Sequence, residues 1–324
     1  MSIVNTLSLE SNRQIKINFD GGDLSSDAGL LLLKEFAAKI GFTKLIKSKF
    51  KTNDTSVRFH KDNENLMQMI YQIISAYFED DCSDELTLDP VFNAILEKNG
   101  LASQPTLSRF FNRMGEDTLM QFDDIDKSLR DIIYSIKRPE HMLLDLDSTL
   151  FDTYGKQEGE GFNFHYQAHG YHPLLCYDGL TGDLLKAELR DGTLHCSNDA
   201  DKFMEPYQVI QYYCGRGKME NFIKEGKSGF DFAAVSSHSK VVNANRMRLH
   251  MLAYNLFNWF RRLVLPANMR KQQVDTIRLK LIKIAARAVR SARYITFKLC
   301  SSCPYKKEFY RTLENIQQLN VQLE

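Results

Sequence analysis

HMLLDLDSTLF, residues 141–151, decides the reading of this 324-residue chain. Apolar residues surround two aspartates, and side chains repeat on one face of a strand every two residues. Asp145 and Asp147 therefore share a face of one predicted strand. Further strands are expected at 161–177 and 183–190, around the turn from Asp178 to Gly182. Strand follows strand with no helical pattern between, which predicts an antiparallel meander rather than alternating β-α-β.

Working outward, the N-terminal side reads as mostly helical. QIKINFD at 14–20 alternates like a half-buried strand and breaks at Asp20-Gly21-Gly22. After Asp27, AGLLLLKEFAAKI predicts a helix that Gly41 stops, and 43–60 is polar and irregular. Helical patterns follow over 64–79, 90–98, 106–114 and 118–136, with Thr106 placed to cap the third after Pro105. Arg109 and Arg113 lie four apart on one helical face, which suits a phosphate backbone or a solvated surface. On the C-terminal side, a helix from about Tyr207 carries YYCGRGKMENFIKEGK, and another spans 243–264 before Pro266. IRLKLIKI (277–284) and RYITFKL (293–299) read as a β-hairpin edged with arginines. The expected architecture is mixed α/β (α+β), with a helical region over 1–138 and a second region over 139–324.

Composition is ordinary for a globular chain, with 43% hydrophobic and 26% charged residues. The longest apolar runs, such as Gly29 to Leu33, are far too short to span a bilayer. No basic region precedes an apolar stretch at the N-terminus, so neither a signal peptide nor a membrane partner is expected. The net charge of +1 conceals an asymmetry: residues 1–200 sum to −12 and residues 201–324 to +13. A basic third suggests a polyanionic partner, and acidic residues in the middle allow cation binding. Of six cysteines only Cys300 and Cys303 have the C-x-x-C spacing, with no second pair to complete a zinc site.

In the expected helix over 211–227, Tyr213, Arg216, Glu220 and Lys227 point within about 60° of one another. Met219, Phe222 and Ile223 form a neighbouring apolar stripe that can pack on a sheet. A carboxylate so placed can ligate a divalent metal, while Arg and Lys can grip phosphates. Read blandly, the same residues make an amphipathic helix with an Arg–Glu pair. His165, His169, His172 and His195 read as strand residues rather than ligands, and Trp259 as core. Lys280, Lys283, Arg287, Arg290 and Arg293 form a basic run suited to DNA backbone or solvent.

Tyr213-x2-Arg216-x3-Glu220-x6-Lys227 resembles the signature around the last acidic residue of DDE transposases of bacterial insertion sequences, in the insertion-sequence-four superfamily. LDLDST at 144–149 resembles the strand bearing that family's first catalytic Asp. YGKQEGEGFNFHYQAHGYHPLLCYD (154–178), LASQPTLSRFFNR (101–113) and AARAVRSARYITFKL (285–299) resemble its following strands, its N-terminal helical module and its C-terminal part. The resemblance implies an RNase H-like core in which three acids bind two Mg²⁺ (or Mn²⁺) ions and cut and join DNA at transposon ends. Carried over, Asp147 is the first acid, with Asp145 as its neighbouring alternative, and Glu220 is the last. Tyr213, Arg216 and Lys227 would position DNA. The implied partner is double-stranded DNA with terminal inverted repeats, with a homo-oligomer allowed, in the cytoplasm of a bacterium at the nucleoid.

The departure lies between the acids. The family's middle Asp ends an apolar strand and is followed by x-Gly-Phe. Here LRDGTLHCSNDADKFME passes at once into PYQVIQYYCGRG, and only 73 positions separate Asp147 from Glu220. Asp191, Asp199 and Asp201 lie nearby, but none ends an apolar strand. The expectation is a core shortened near Phe203–Gln208, with catalysis impaired or absent. Two rival readings are a catalytically inactive DNA-binding remnant and a haloacid-dehalogenase-like phosphatase. The latter would use Asp145 as nucleophile and Asp147 as acid/base, and it requires a parallel sheet.

Overall fold

The computed structural model describes residues 6–54, 56–204 and 216–321. Two short strands, β1 (Leu7–Ser8) and β2 (Lys16–Ile17), pair antiparallel. Their paired residues are exposed, so the strand expected half-buried over 14–20 is instead a two-residue exposed arm. After β3 (Leu24–Ser25) come α1 (Leu30–Lys39) and α2 (Phe42–Lys49). Gly41, at φ +72°, takes the left-handed turn that ends α1. The segment read as irregular from 43 opens as α2, because Phe42 and Ile46 bury one helical face despite the lysines around them.

The helical module continues with α3 (Asp62–Ile74), α4 (Cys82–Glu85), α5 (Pro90–Leu96), α6 (Gln104–Phe111) and α7 (Glu116–Ile136). Local chemistry sets the helix starts. Asp89 accepts hydrogen bonds from the Val91 and Phe92 amides at 2.8 and 3.0 Å, with Pro90 at the first helical position. α6 begins earlier than expected: Ser103 is its N-cap residue, and Thr106 sits inside the first turn.

The strands that follow are β4 (Leu144–Ser148), β5 (Phe151–Asp152), β6 (Gly161–Asn163), β7 (Ala168–Tyr171), β8 (Leu174–Asp178) and β9 (Leu184–Glu188). They form two three-stranded sheets, ordered β4-β8-β9 and β5-β7-β6. Every pairing among the described residues is antiparallel. Residues 161–177 thus hold three strands, divided between the two sheets. α8 (Ala200–Met204), α9 (Arg216–Phe230) and α10 (Lys240–Val264) come next.

The C-terminal part corrects one expectation. Residues 277–284 are not a strand: α11 (Val274–Ile277) runs into a π-helical turn over Arg278–Ile282. Val274, Ile277 and Leu281 are buried at helical spacing, and this outweighs the alternation of IRLKLIKI. Buried Arg278 donates from Nε and Nη2 to the carbonyls of Ile74 and Ile73 at 2.7 and 3.0 Å, satisfying the end of α3. The hairpin lies slightly further on, as β10 (Ala286–Arg290) and β11 (Ile295–Leu299), in the sheet order β11-β10-β3. α12 (Lys306–Gln318) packs on α1 and α10.

One continuous core joins the helical module to β8, β9, α9 and α10. Trp259 is fully buried in it, as expected of an aromatic on an apolar helix. Among the described residues, no helix is long and apolar enough to cross a membrane. The fold is mixed α+β.

His250 of α10 is buried, and its Nδ1 meets the Phe230 carbonyl at 2.6 Å. Burial pushes its pKa down to about 4; the Phe230 carbonyl opposes this, Arg246 adds to it and Asp80 opposes it. The folded state therefore holds the neutral ring, while the unfolded chain takes up a proton near the ordinary value of 6.5. Its stability contribution is complete above that value and is lost as pH falls toward 4. Urea unfolding should show wild type losing about 3 kcal/mol more than His250→Gln between those limits. Parallel pH profiles would contradict this assignment.

Candidate active site

The first wall of the site is β4. Its register sets Asp145 opposite Tyr177 and Asp147 opposite Leu175 on β8. Leu144 and Leu146, on the alternate positions, pack on a small cluster with Leu174, Cys176 and Phe203. The two aspartates take the other face, where Asp145 is buried and Asp147 exposed. Asp147 accepts the Ser148 amide at 2.8 Å. Asp145 has one carboxylate oxygen, Oδ2, that is buried and has no hydrogen-bond partner. Burial, and then the charge of Asp147, raise the Asp145 pKa.

The second wall is α9. Met219 and Ile223 are buried, and Phe222 stacks on Tyr177 with centroids 5.7 Å apart. That packing needs Gly182, at φ +73°, because a Cβ there would come within 2.9 Å of the Phe222 ring. With the apolar stripe held on the sheet, Glu220, Lys224 and Lys227 follow one another along the helix at the edge of the cleft. The Lys227 ammonium donates to the Leu150 carbonyl at 2.9 Å, tying α9 to the chain just after β4.

The third wall is the β6–β7 connection. Tyr166 donates its hydroxyl to the Ser148 carbonyl at 3.2 Å, and the His165 ring meets the Tyr166 ring edge-on at 4.7 Å. Burial first, and Asp147 second, raise the Tyr166 pKa. The three walls enclose an open cleft of about 760 Å³.

The sequence-predicted residues fare differently. Asp147, Glu220 and Lys227 line this one cleft, with Asp145 beside them. Arg216 opens α9, whereas Tyr213 and most of the junction expected near Phe203–Gln208 lie outside the described residues. Asp191 and Asp199 pair instead with Lys240 and Lys202, and Asp201 sits on α8. Arg109 and Arg113 line a separate groove with Phe59 and His60, where Arg113 pairs with Asp62 at 2.8 Å. His169 pairs with Glu160, and buried His172 meets the Leu194 carbonyl. Sequence reasoning passed over Lys224, His165 and Tyr166 as cleft residues. Lys224 was detectable as the i+4 neighbour of Glu220, whereas the other two needed the chain path.

Asp147 and Glu220, on separate elements of one open cleft, are hard oxygen donors of the type that Mg²⁺ or Mn²⁺ takes together with water. Among the described residues, no group of three His, Cys, Asp or Glu side chains forms a metal-binding set.

A family model described as Transposase DDE domain group 1 matches the chain over residues 7–210 and again over 201–321. No curated protein and no solved structure matches it.

The paired charges on β4 give a direct test. In metal-free protein, Asp147→Asn should melt no lower than wild type, because it relieves repulsion on Asp145. Millimolar Mn²⁺ should raise the wild-type melting temperature by a few degrees and leave Asp147→Asn and Glu220→Gln unmoved. Equal shifts in all three would place the ion elsewhere.

Proposed function

The chain belongs to the DDE transposase family, and from that premise we propose that it acts on transposon-end DNA through the cleft between β4 and α9, with a catalytic set short of one acid. The observation that carries this reading is that Asp147 and Glu220 both line one cleft, in the chain order the family requires. The antiparallel pairing of β4 with β8 supports an RNase H-like core over the parallel sheet a haloacid-dehalogenase-like phosphatase needs. The two-segment family match, overlapping at 201–210, supports a shortening at that point. We place the helical accessory region at 1–138 and the shortened catalytic region with its C-terminal extension at 139–324. The origin we assign is a bacterial insertion sequence of the insertion-sequence-four superfamily, with terminal inverted repeats as the DNA partner at the nucleoid and a homo-oligomer allowed.

Each cleft group then has a role. Asp147 and Glu220 would hold Mg²⁺ (or Mn²⁺), which when bound polarises phosphate oxygens and activates water or a 3′-hydroxyl. Lys227, already bonded to the Leu150 carbonyl, fixes α9 against the strand end and leaves a positive charge at the cleft edge. Lys224 offers a second cation for the phosphate backbone, and the family resemblance gives the same task to Arg216 and Tyr213. His165 and Tyr166, with their rings set edge to face, supply an aromatic wall for sugar or base. Asp145, buried and with its carboxyl pKa raised by burial and then by Asp147, is a poor substitute for a missing ligand.

A specific observation favours the inactive-remnant alternative. Two-ion chemistry needs three acids to satisfy near-octahedral oxygen shells, and the described residues bring no three together. The expected outcome with purified protein and terminal-repeat duplex is a salt-dependent mobility shift with little or no nicking or strand transfer in Mg²⁺. Robust strand transfer that Asp147→Ala abolishes would overturn the impairment. Absence of any shift would overturn the DNA partner.

A further inference from the structure

We propose that the outward face of the β10–β11 ribbon is a second nucleic-acid surface that takes the phosphate backbone of duplex DNA; the choice of DNA as the polyanion rests on the function proposed above. The ribbon has two chemically different faces. On one, Ala286 and Ala288 are buried, and Phe297 and Leu299 pack on a cluster that includes Ala28 and Ile284. On the other, Arg287, Val289, Thr296 and Lys298 are all exposed. None of these four lines the cleft.

The register makes the second face unusual. Arg287 and Lys298 are direct cross-strand partners. Like charges set directly opposite one another destabilise a strand pair. No ion pair reaches Arg287, Arg293 or Lys298 among the described residues, and Arg290 finds Asp23 only at 4.0 Å. At the ribbon's tip, where the Ser291 amide closes the turn on the Tyr294 carbonyl at 2.9 Å, Arg293 and Tyr294 stand exposed. A twin-cation face ending in an arginine and an aromatic residue repels itself in the free protein. A row of phosphates would bridge the two cations and relieve that repulsion. The local sequence agrees in sign, since residues 201–324 carry a net charge of +13.

The test measures full-length protein binding to a short fluorescent duplex between roughly 50 and 200 mM salt. The variant is Arg287→Thr with Lys298→Thr, and Arg287→Lys with Lys298→Arg is the charge-preserving control. The double Thr variant should bind more weakly, with a log–log salt slope shallower by about two. It should also melt at the wild-type temperature or roughly 1–2 °C higher, because the cross-strand repulsion is gone. The charge-preserving variant should keep the wild-type slope. An unchanged slope in the Thr variant, with wild type binding normally, would overturn this surface alone and leave the cleft reading intact. Weaker binding together with a lowered melting temperature would reassign the pair to folding and overturn the surface. Loss of self-association at unchanged slope would assign the ribbon to a second copy's acidic region and overturn it likewise. Failure of wild type to bind any duplex would overturn both readings.

Discussion

α10 is a helix buried along most of its 25 residues, and it carries four buried asparagines. That is the constraint the molecule is built around. A buried amide left unpaired costs roughly 1–3 kcal/mol, so each asparagine must find its partners on a neighbouring element. Asn245 receives the Thr118 hydroxyl at 2.7 Å and donates to the Gly115 carbonyl at 3.0 Å, both at the start of α7. Asn243 donates to the Tyr171 hydroxyl of β7 and to the Ser237 carbonyl. Asn255 accepts the Leu184 amide at 2.9 Å and donates to the Leu184 carbonyl at 2.8 Å, behaving like one residue of an added strand beside β9. Asn258 donates to the Thr181 carbonyl and to Asp183 in the β8–β9 turn. Apolar packing would hold these elements together in many registers. The amides permit few.

Both main walls of the cleft are referenced to this helix. β9 is fixed by Asn255, β8 is paired to β9, and β4 is paired to β8, so the position of Asp147 follows from the Leu184 bonds. On the other side, Arg261 grips Glu225 of α9 with two hydrogen bonds at 2.8 and 3.0 Å. Half-buried, two-point pairs of this kind define orientation as well as distance. Tyr254 closes the frame by donating to the Gly182 carbonyl at 2.8 Å, beside the glycine whose bare Cα admits Phe222. The cleft is thus the gap left between two elements that are each clamped to a third.

Much of this was legible in the sequence where one face of an element decides its conformation. The β4 alternation, the α9 stripe of Met219, Phe222 and Ile223, and the long helix before Pro266 each have one face apolar and one polar, so period alone identifies them. Legibility failed where tertiary partners outweighed the local pattern. IRLKLIKI alternates like a strand, yet its Arg278 is drawn inward by the open carbonyls at the end of α3, about 200 residues away in the chain, and helical burial follows. QIKINFD has a strand pattern with nothing to cover it. The lysines around α2 hide a two-residue apolar face. The asparagines of α10, which matter most to the geometry, look like ordinary polar interruptions, because their meaning lies in what they touch.

Two places in the molecule are arranged against its own stability. On β4 a buried carboxyl sits two residues from an exposed one on the same face, whose charge adds to burial in raising its pKa. On the β10–β11 ribbon two cations face each other across a strand pair. Intramolecular pairing could have relieved either, as it does at Asp183, which is buried but bonded to Arg262 at 2.7 Å. Neither site is relieved in that way, and the two excess charges are of opposite sign. A negative cleft and a positive ribbon are what an acidic polymer carrying its own divalent counterions would fill together, with metal at one site and phosphate at the other. On the function proposed above, binding of such a ligand would recover the free energy that folding forgoes at these two sites, and the repulsions would act as preorganisation.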